Sequence, residues 1–267
     1  MGETALAIVL YEHPLSPYAQ KCKISLAEKN VSFETRMPNA IGTGTRDEPF
    51  LDANPRGEVP ALIEGDVRLF DSTIILEYIE DRWPSPAMLP ATAYARARAR
   101  MIEEVMDTQY EAITWAMGEV SWFKRAEGEK AAELRSRAAG QLAGLHQWLG
   151  RQLGDAQWFN GESFGWGDLS VIPYLNGATG QGLGPDPASP LGQWQKRANA
   201  RPSVAACNDS IKAIQGAMVD VAGAVKAGLF KREYRDHRLE WMMRSGGADI
   251  VRAGIETGTI RFSNELS

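Results

Sequence analysis

The chain has 267 residues, a formal net charge of −5 at pH 7 and 44% hydrophobic residues, enough to bury a substantial core in one large domain or two ordinary ones. This mild acidity gives no electrostatic reason to expect binding to nucleic acid or to an anionic membrane surface. Its two cysteines, Cys22 and Cys207, are too few for a secreted disulfide framework, and the longest apolar run, at residues 5–11, is too short to span a bilayer. Because no basic region precedes that run, we expect a soluble, cytoplasmic protein.

The first 80 residues carry alternating strand and helix signals. A continuous apolar run at residues 6–10 predicts a strand covered on both faces. Ser16 and Pro17 predict a helix start, because serine is favoured at the N-cap and proline at the first helical position. Cys22, on the apolar side of that helix, is expected to be buried. Three further strands are predicted at residues 31–37, 60–63 and 67–70. Ser72 is predicted to cap a second helix, so the order is βαβ followed by ββα.

A proline-rich segment separates this region from a helical one. The run at residues 83–86, with Pro90 beyond it, predicts a linker because prolines so placed cannot continue a helix. Helical spacing of apolar residues then predicts helices at residues 96–122, 129–153 and 190–199, with a loop at 182–190. We therefore expect four parts: an α/β domain at 1–83, a linker at 84–92, an all-helical domain at 93–225 and a C-terminal helical extension at 226–267.

Three stretches of the chain form a distinctive set. They are Tyr11–Lys29, with Ser16-Pro17-Tyr18 ahead of the first helix; residues 54–62, followed by Asp71-Ser72; and residues 164–170. In this order, over roughly residues 5–205, they resemble the cytosolic glutathione transferases, and the serine is similar to that of bacterial members acting on halogenated or aryl-ether compounds. The resemblance implies a thioredoxin-like α/β domain followed by an all-α domain, glutathione as co-substrate, a homodimer and no metal.

The third stretch is similar to the capping segment of the family's buried helix. Relatives usually carry Ser or Thr where Gly165 stands, and Gly offers no side-chain oxygen to the helix N-terminus. Asp168 is expected to pair with backbone N–H groups of its own turn. Its implied role is therefore structural, in starting the helix.

The resemblance also implies where glutathione would bind. Val59-Pro60 resembles the family's cis-proline turn, whose backbone pairs with the peptide as an added strand; the alternative is a trans proline at a strand start. Asp71 and Ser72 resemble the pair at the γ-glutamyl end, where the helix N-terminus and the Ser72 hydroxyl would hold the carboxylate and Asp71 would accept from the ammonium. The alternative is that Asp-Ser is only an N-cap. Family members usually carry Glu or Gln at position 71.

Glu58 is included in the predicted glutathione site, but it departs from the family pattern. Many relatives carry an amide or an apolar residue at this position, and a carboxylate would repel the glycyl end of glutathione. Arg56, or Arg46 in the loop after the second strand, is expected to neutralise this charge. The sequence does not choose between the two arginines.

Ser16 is the predicted catalytic residue. A thiol has a pKa of about 8.5, so glutathione is mostly protonated at neutral pH. A hydrogen bond from Ser16, together with the helix N-terminus, would favour the thiolate. The alternative is that Ser16 only caps its helix. Tyr11 and Tyr18 are the other hydroxyls that could reach the sulfur, although Tyr18 is expected rather to pack against the helical domain. His13 could assist weakly or lie at the surface of the loop. Without cysteine at positions 16 and 19, dithiol exchange through this loop is excluded.

The second substrate is expected between the Ser16 loop and the first long helices after the linker. Candidate pocket residues are Tyr18, Tyr110 and Trp115, with Ile113, Met117 and Trp122 as further ones. The alternative is that this aromatic and methionine stripe is core or dimer contact. The tail at residues 226–244 predicts one helix closed by Gly246-Gly247, either as a solvated face or as a lid over the cleft, and residues 259–262 predict a short strand.

These features predict a glutathione S-transferase that activates the thiolate for attack on a hydrophobic electrophile, by conjugation or by displacement of a halide or an aryl ether. Glutathione-dependent β-aryl ether cleavage and dehalogenation are two forms of this reaction that the motifs do not distinguish. The alternative is a non-catalytic glutathione-binding or scaffold protein with the same fold, for which Glu58 is the sequence hint. No metal site is predicted, because His13, His146 and His237 are scattered.

Overall fold

The computed structural model describes residues 7–38, 48–215, 221–229, 232–233 and 236–261. Its main sheet has four strands in the order β2-β1-β3-β4. The strands are β1 (Ile8–Tyr11), β2 (Phe33–Arg36), β3 (Ala61–Glu64) and β4 (Val67–Phe70). Strand β1 runs parallel to β2 and antiparallel to β3, and β3 is antiparallel to β4. All four predicted strands are confirmed, although β2 is shorter than the alternation at 31–37 indicated.

Helices cover both faces of this sheet. They are α1 (Pro17–Glu28), α2 (Glu48–Ala53) and α3 (Ser72–Arg82). Ile8 and Leu10 of β1 belong to the main hydrophobic core beneath α1 and α3. Tyr11 points the other way and packs against Phe50 of α2, as the two-residue period of a strand requires. This arrangement is the predicted thioredoxin-like α/β domain; α2 was not predicted.

The second half is helical. Its elements are α4 (Ala93–Val105), a π-helical turn (Met106–Tyr110), α5 (Glu111–Ser121), α6 (Gly128–Leu153), α7 (Trp166–Gly180), α8 (Pro190–Asn199) and α9 (Pro202–Gln215). The predicted helix at 96–122 is therefore α4 and α5 joined by the π turn. Helix α7 is buried along most of its length and forms the centre of the core with α1 and α4 packed against it. Within the residues that the structure describes, no helix is long and apolar enough to cross a membrane.

The C-terminal extension differs from the prediction. Its elements are α10 (Val221–Lys226), β5 (Arg232–Glu233), α11 (Asp236–Arg244), α12 (Ala248–Glu256) and β6 (Ile260–Arg261). The prediction of one helix at 226–244 is wrong, because α10 ends before Gly228, whose φ of 73° is left-handed. The strand expected at 259–262 is present as β6. It pairs in parallel with β5, a two-residue strand too short to show any alternation.

Asp168 holds the start of α7, as expected. Its carboxylate accepts from the backbone N–H of Phe159 at 2.8 Å, from that of Gly165 at 3.1 Å and from Trp194 Nε1 at 2.8 Å, while burial raises its pKa to about 6. A Cβ on Gly165 would lie 1.9 Å from Asn160 Nδ2 and 2.4 Å from the Met88 carbonyl oxygen. Steric room therefore excludes a Ser or Thr cap here, and the carboxylate of Asp168 serves instead.

We expect Asp168→Ala to lower the free energy of unfolding by about 3 kcal/mol or more, because three buried donors lose their acceptor. Asp186→Ala is the matched control, since the Asp186 carboxylate accepts an exposed bond from the Ala188 N–H, at 2.9 Å. That control should change stability by about 1 kcal/mol or less. Equilibrium urea unfolding of both variants measures the difference; equal losses would show that Asp168 is not a special support of α7.

Candidate functional site

The sheet register brings the predicted glutathione-binding segments to one edge. Tyr11, at the end of β1, pairs with Ala61, at the start of β3, and Ala61 pairs with Phe70, at the end of β4. The loop after β1, the Val59-Pro60 bond before β3 and Asp71-Ser72 after β4 therefore leave the sheet at the same edge. Helices α1 and α3 both begin there.

Ser16 is the N-cap of α1. Its Oγ accepts from the backbone N–H of Ala19 at 3.3 Å, and its own N–H donates to the His13 carbonyl oxygen at 2.8 Å. The side chain is half-buried. Because capping uses a lone pair of the hydroxyl, the proton of Ser16 is not consumed by the cap and can be donated to a sulfur. The capping role and the predicted catalytic role are therefore compatible.

The turn before β3 has the predicted geometry, since the Val59-Pro60 peptide bond is cis. Asn54 shapes the approach to it: its Nδ2 donates to the Glu58 carbonyl oxygen at 2.6 Å and its Oδ1 accepts from the Arg56 N–H at 3.0 Å. Sequence reasoning missed Asn54, although an Asn-Pro pair ahead of the predicted strand is a recognised turn signal. The loop is held by side-chain bonds of Asn54 to two backbone groups.

The start of α3 corrects one prediction. Asp71, not Ser72, is the N-cap: Asp71 Oδ1 accepts from the Thr73 N–H at 3.0 Å, and Ser72 is the first helical residue, 4% exposed. Asp71 has a φ of 73°, a conformation rare for a residue with a side chain. Backbone strain of this kind concentrates at binding sites. Both residues still lie at the helix N-terminus, where the partial positive charge attracts a carboxylate.

Arg56 lies over the aromatic ring of Phe70. Its guanidinium carbon is 5.1 Å from the centroid of the Phe70 ring. An open groove of about 450 Å³ is lined by Arg56, Arg68, Leu69, Phe70, Asp71 and Ile74. Arg46, the alternative partner for Glu58, lies outside the described residues.

The other polar groups of the loop after β1 are held in place. Tyr11 is buried against Phe50, with ring centroids 5.3 Å apart. His13 Nδ1 accepts from the Leu15 N–H at 3.2 Å, which places the proton of the neutral ring on Nε2, and burial lowers the His13 pKa. Ser16 is therefore the hydroxyl of this loop that stands at a helix N-terminus.

Neither cysteine is placed to act as a nucleophile. Cys22 is buried as predicted, its Sγ lies 3.6 Å from the Ser72 carbonyl oxygen, and burial raises its pKa far above the usual range. Burial raises the pKa of Cys207 to about 11. Any thiol chemistry at this edge of the sheet has to use a sulfur from outside the chain.

We expect neither thiol of the native protein to react with a chromogenic disulfide reagent at pH 8, because a thiol with a pKa of about 11 is ionised to only about one part in a thousand. Both Cys22 and Cys207 should react in concentrated urea. The measurement is the absorbance released before and after unfolding. Stoichiometric labelling of the folded protein would contradict this assignment.

The predicted second-substrate residues separate into two groups. Tyr110 is fully buried, and its hydroxyl lies 2.9 Å from His146 Nε2. Ile113 and Met117 are also buried in the main core. Trp115 is half-buried, and Tyr18 donates its hydroxyl to the Asp107 carbonyl oxygen at 2.7 Å. The aromatic and methionine stripe therefore lies largely in the core, which was the alternative interpretation. Trp122, by contrast, is exposed.

The C-terminal extension packs against α5, the helix that carries Trp115. Arg238 of α11 donates to the Glu111 carboxylate, at 2.6 Å from Nη2, and its guanidinium carbon is 4.9 Å from the Trp115 ring centroid. Farther along, Arg125 pairs with buried Glu119 at 3.0 Å and donates to Thr259 Oγ1 at 3.2 Å. The extension thus covers the side of α5 that carries Trp115.

We expect Arg238→Ala to lower the free energy of unfolding by about 2 to 4 kcal/mol, because the Glu111 carboxylate would remain buried without this partner. Arg244→Ala is the matched control: Arg244 and Glu240 form an exposed pair on the same helix, worth about 0.5 kcal/mol or less. Urea unfolding distinguishes the two variants. Similar losses in both would mean that the Arg238 contact does not hold the extension.

The comparisons with known proteins fit this geometry. A sequence profile of the glutathione S-transferase N-terminal domain matches residues 10–87. A probable glutathione S-transferase, GSTU1, of Oryza sativa subsp. japonica is 31% identical over 180 residues, covering 62% of this chain and 72% of the relative. The crystal structure of rice GST1 in complex with glutathione is 26% identical with a TM-score of 0.62, covering 79% of this chain and 97% of that one. The chain belongs to the glutathione S-transferase family.

Some of the similar proteins are not named as transferases. A stringent starvation protein A homolog of Coxiella burnetii is 35% identical over 95 residues, covering 36% of this chain and 44% of that protein. Family membership confirms the predicted architecture of a thioredoxin-like domain followed by a helical one. The subfamily with a serine loop and ether-cleaving or dehalogenating members stays a prediction. Among the residues that the structure describes, no three His, Cys, Asp or Glu side chains are grouped to hold a metal ion.

Proposed function

We propose that this protein is a glutathione S-transferase that ionises the thiol of bound glutathione at Ser16 and directs the thiolate to a hydrophobic electrophile. The observation that carries the proposal is the position of the Ser16 hydroxyl: it caps α1 at the sheet edge where the cis Val59-Pro60 bond and the N-terminus of α3 also lie. Family membership supports glutathione as the ligand that we propose for that edge.

The segments at this edge suit the cysteinyl and γ-glutamyl parts of glutathione. The backbone of Val59 would pair with the cysteinyl unit as an added strand. The N-terminus of α3, with the Ser72 hydroxyl, would bind the γ-glutamyl carboxylate, and Asp71 would accept from the ammonium group. Glu58 disfavours the glycyl carboxylate unless a cation intervenes, and Arg56 is the described arginine nearest in sequence.

Ionisation of the thiol follows from two effects at Ser16. Its hydroxyl proton would donate to the sulfur, which favours the charged form, and the N-terminus of α1 adds positive potential. Lowering a thiol pKa from about 8.5 by two units would make most bound glutathione a thiolate at neutral pH. The sulfur lone pair then forms a bond to the electrophilic carbon, and in a displacement the halide or phenolate leaves with the bonding pair.

The electrophile would lie between the Ser16 loop and the first long helices of the helical domain. Conjugation, dehalogenation and β-aryl ether cleavage all use the same thiolate, and the pocket rather than the sulfur site would select among them. A homodimer is part of this proposal, as for the family in general.

A second candidate is a glutathione-binding or scaffold protein with little turnover. The specific observation in its favour is the 35% identity to a protein named for stringent starvation rather than for transfer. Retention on immobilised glutathione, followed by assay with a chloro-aromatic electrophile and a panel of aryl ethers and haloalkanes, separates the two. Binding without turnover across the panel would favour the scaffold.

We expect Ser16→Ala to lower kcat by about tenfold or more and to raise the pKa of bound glutathione by about one unit, because a donor to the sulfur is lost. The control is Ser189→Ala, which removes an N-cap of the same kind: Ser189 Oγ accepts from the Gly192 N–H at 3.0 Å at the start of α8. Both variants lose about 1 kcal/mol of capping. Only Ser16→Ala should change the pH profile of kcat/KM.

Two results would overturn the proposal. Ser16→Ala with the wild-type kcat and pH profile would remove Ser16 from catalysis. Absence of any heat of glutathione binding at millimolar concentration, measured by titration calorimetry on the wild-type protein, would remove the glutathione site itself.

A further inference from the structure

A buried polar cluster joins the two helix N-termini of the proposed site to the helical domain. Its members contribute charged or hydroxyl groups, and an indole N–H, from α1, α3, α4, the π turn and α7: Tyr18, Lys21, Thr73, Glu103, Asp107, Trp166 and Tyr174. We call it the interdomain cluster. The residues come from both halves of the chain, so its contacts fix how the halves meet.

Lys21 is the centre of the interdomain cluster. Its side chain is 0% exposed, and its Nζ lies 2.5 Å from Glu103 Oε1 and 2.5 Å from Asp107 Oδ2. A charge in this position has no water to solvate it and needs charged, hydrogen-bonded partners. Because both carboxylates belong to the helical domain, α1 can adopt only the position that keeps Lys21 between them.

Tyr18 gives α1 a second attachment, closer to Ser16. Its hydroxyl donates to the Asp107 carbonyl oxygen at 2.7 Å, and Tyr18 and Lys21 are three residues apart, on one face of the helix. The Asp107 side chain accepts in turn from the Tyr174 hydroxyl at 2.6 Å. The main chain of Asp107 therefore holds the first turn of α1 through Tyr18, and its side chain holds the next turn through Lys21.

Thr73 gives α3 an equivalent attachment. Its Oγ1 donates to Glu103 Oε1 at 2.9 Å, and its N–H is the group that Asp71 caps at 3.0 Å. Glu103 therefore contacts both Lys21 of α1 and the second residue of α3. The Glu103 carboxylate therefore links the helix at the thiol end of the proposed site to the helix at its γ-glutamyl end.

We infer that Tyr18 and Thr73 are positioning residues of the proposed glutathione site: Tyr18 sets the Ser16 hydroxyl against the sulfur, and Thr73 sets the α3 N-terminus against the γ-glutamyl carboxylate. The inference rests on the proposed function. A hydroxyl stabilises a thiolate only within hydrogen-bond distance, so a shift of about 0.5 Å at the first turn of α1 matters. It also replaces the expectation that Tyr18 lines the second-substrate pocket.

The test uses two variants that keep side-chain shape and remove one hydroxyl. Tyr18→Phe should raise the pKa of the bound thiol by about half a unit to one unit, a threefold to tenfold loss of kcat/KM at low pH, with glutathione Kd within twofold. Thr73→Val should weaken glutathione binding about threefold to tenfold and leave the thiol pKa unchanged. Calorimetry gives Kd, and ultraviolet absorbance of the bound thiolate against pH gives the pKa.

Tyr78→Phe is the matched control. Tyr78 also lies on α3, and its hydroxyl donates to Glu64 Oε2 at 2.6 Å, outside the interdomain cluster. It should leave both Kd and the thiol pKa at wild-type values. Urea unfolding of all three variants checks that each is folded under the assay conditions.

The outcomes distinguish the inference from the proposed function. If wild type binds glutathione as a thiolate but Tyr18→Phe keeps its pH profile, the positioning role is wrong and the proposed function stands. If Tyr18→Phe raises only the KM of the electrophile, Tyr18 belongs to the second-substrate pocket and the inference is again wrong. If wild type binds no glutathione, both fail together.

Discussion

The buried ammonium group of Lys21 is the constraint on which the arrangement of the two halves depends. Removing such a charge from water costs several kcal/mol, which only well-placed opposite charges can offset. The carboxylates that do so, Glu103 and Asp107, belong to the helical domain, whereas Lys21 belongs to the domain with the sheet. The two halves therefore meet at a buried group of paired charges, surrounded by a hydrophobic core that is continuous across both of them.

The same constraint explains why the candidate site is at the edge of the sheet. Register brings the starts of α1 and α3 together, and the interdomain cluster then links the start of α1 to the π turn and the start of α3 to α4. Each helix carries a partial positive charge at that end. Two such ends, side by side, suit a ligand that is anionic at separate points. Chemistry at Ser16 would thus depend on supports located in the other domain.

Local signals predicted the strands and the helix start at Ser16, because these depend on residues close together in the chain. The resemblance to a known family, and not a local signal, implied the cis Val59-Pro60 bond and the capping role of Asp168. What the sequence missed depends on distant partners. Lys21 stands between apolar positions of α1, and nothing local links it to a carboxylate 82 residues later. The N-cap of α3 was assigned to the wrong residue for a different reason. Either residue of an Asp-Ser pair can cap a helix, and only the backbone conformation, with Asp71 at a φ of 73°, shows which of them does.

The docking of the extension has a consequence for biosynthesis. Arg125, near the middle of the chain, donates to Thr259, and Glu111 accepts from Arg238. Until Arg238 and Thr259 have left the ribosome, the Glu111 carboxylate lacks its arginine partner from the extension and Arg125 lacks its bond to Thr259. The strand pairs of the main sheet can form much earlier, because they lie within the first 70 residues. Helix α1 cannot complete its packing at that stage, because it also contacts α7 and α9 and its buried Lys21 needs Glu103 and Asp107. Both halves therefore reach their final contacts only after the helical domain has been synthesised.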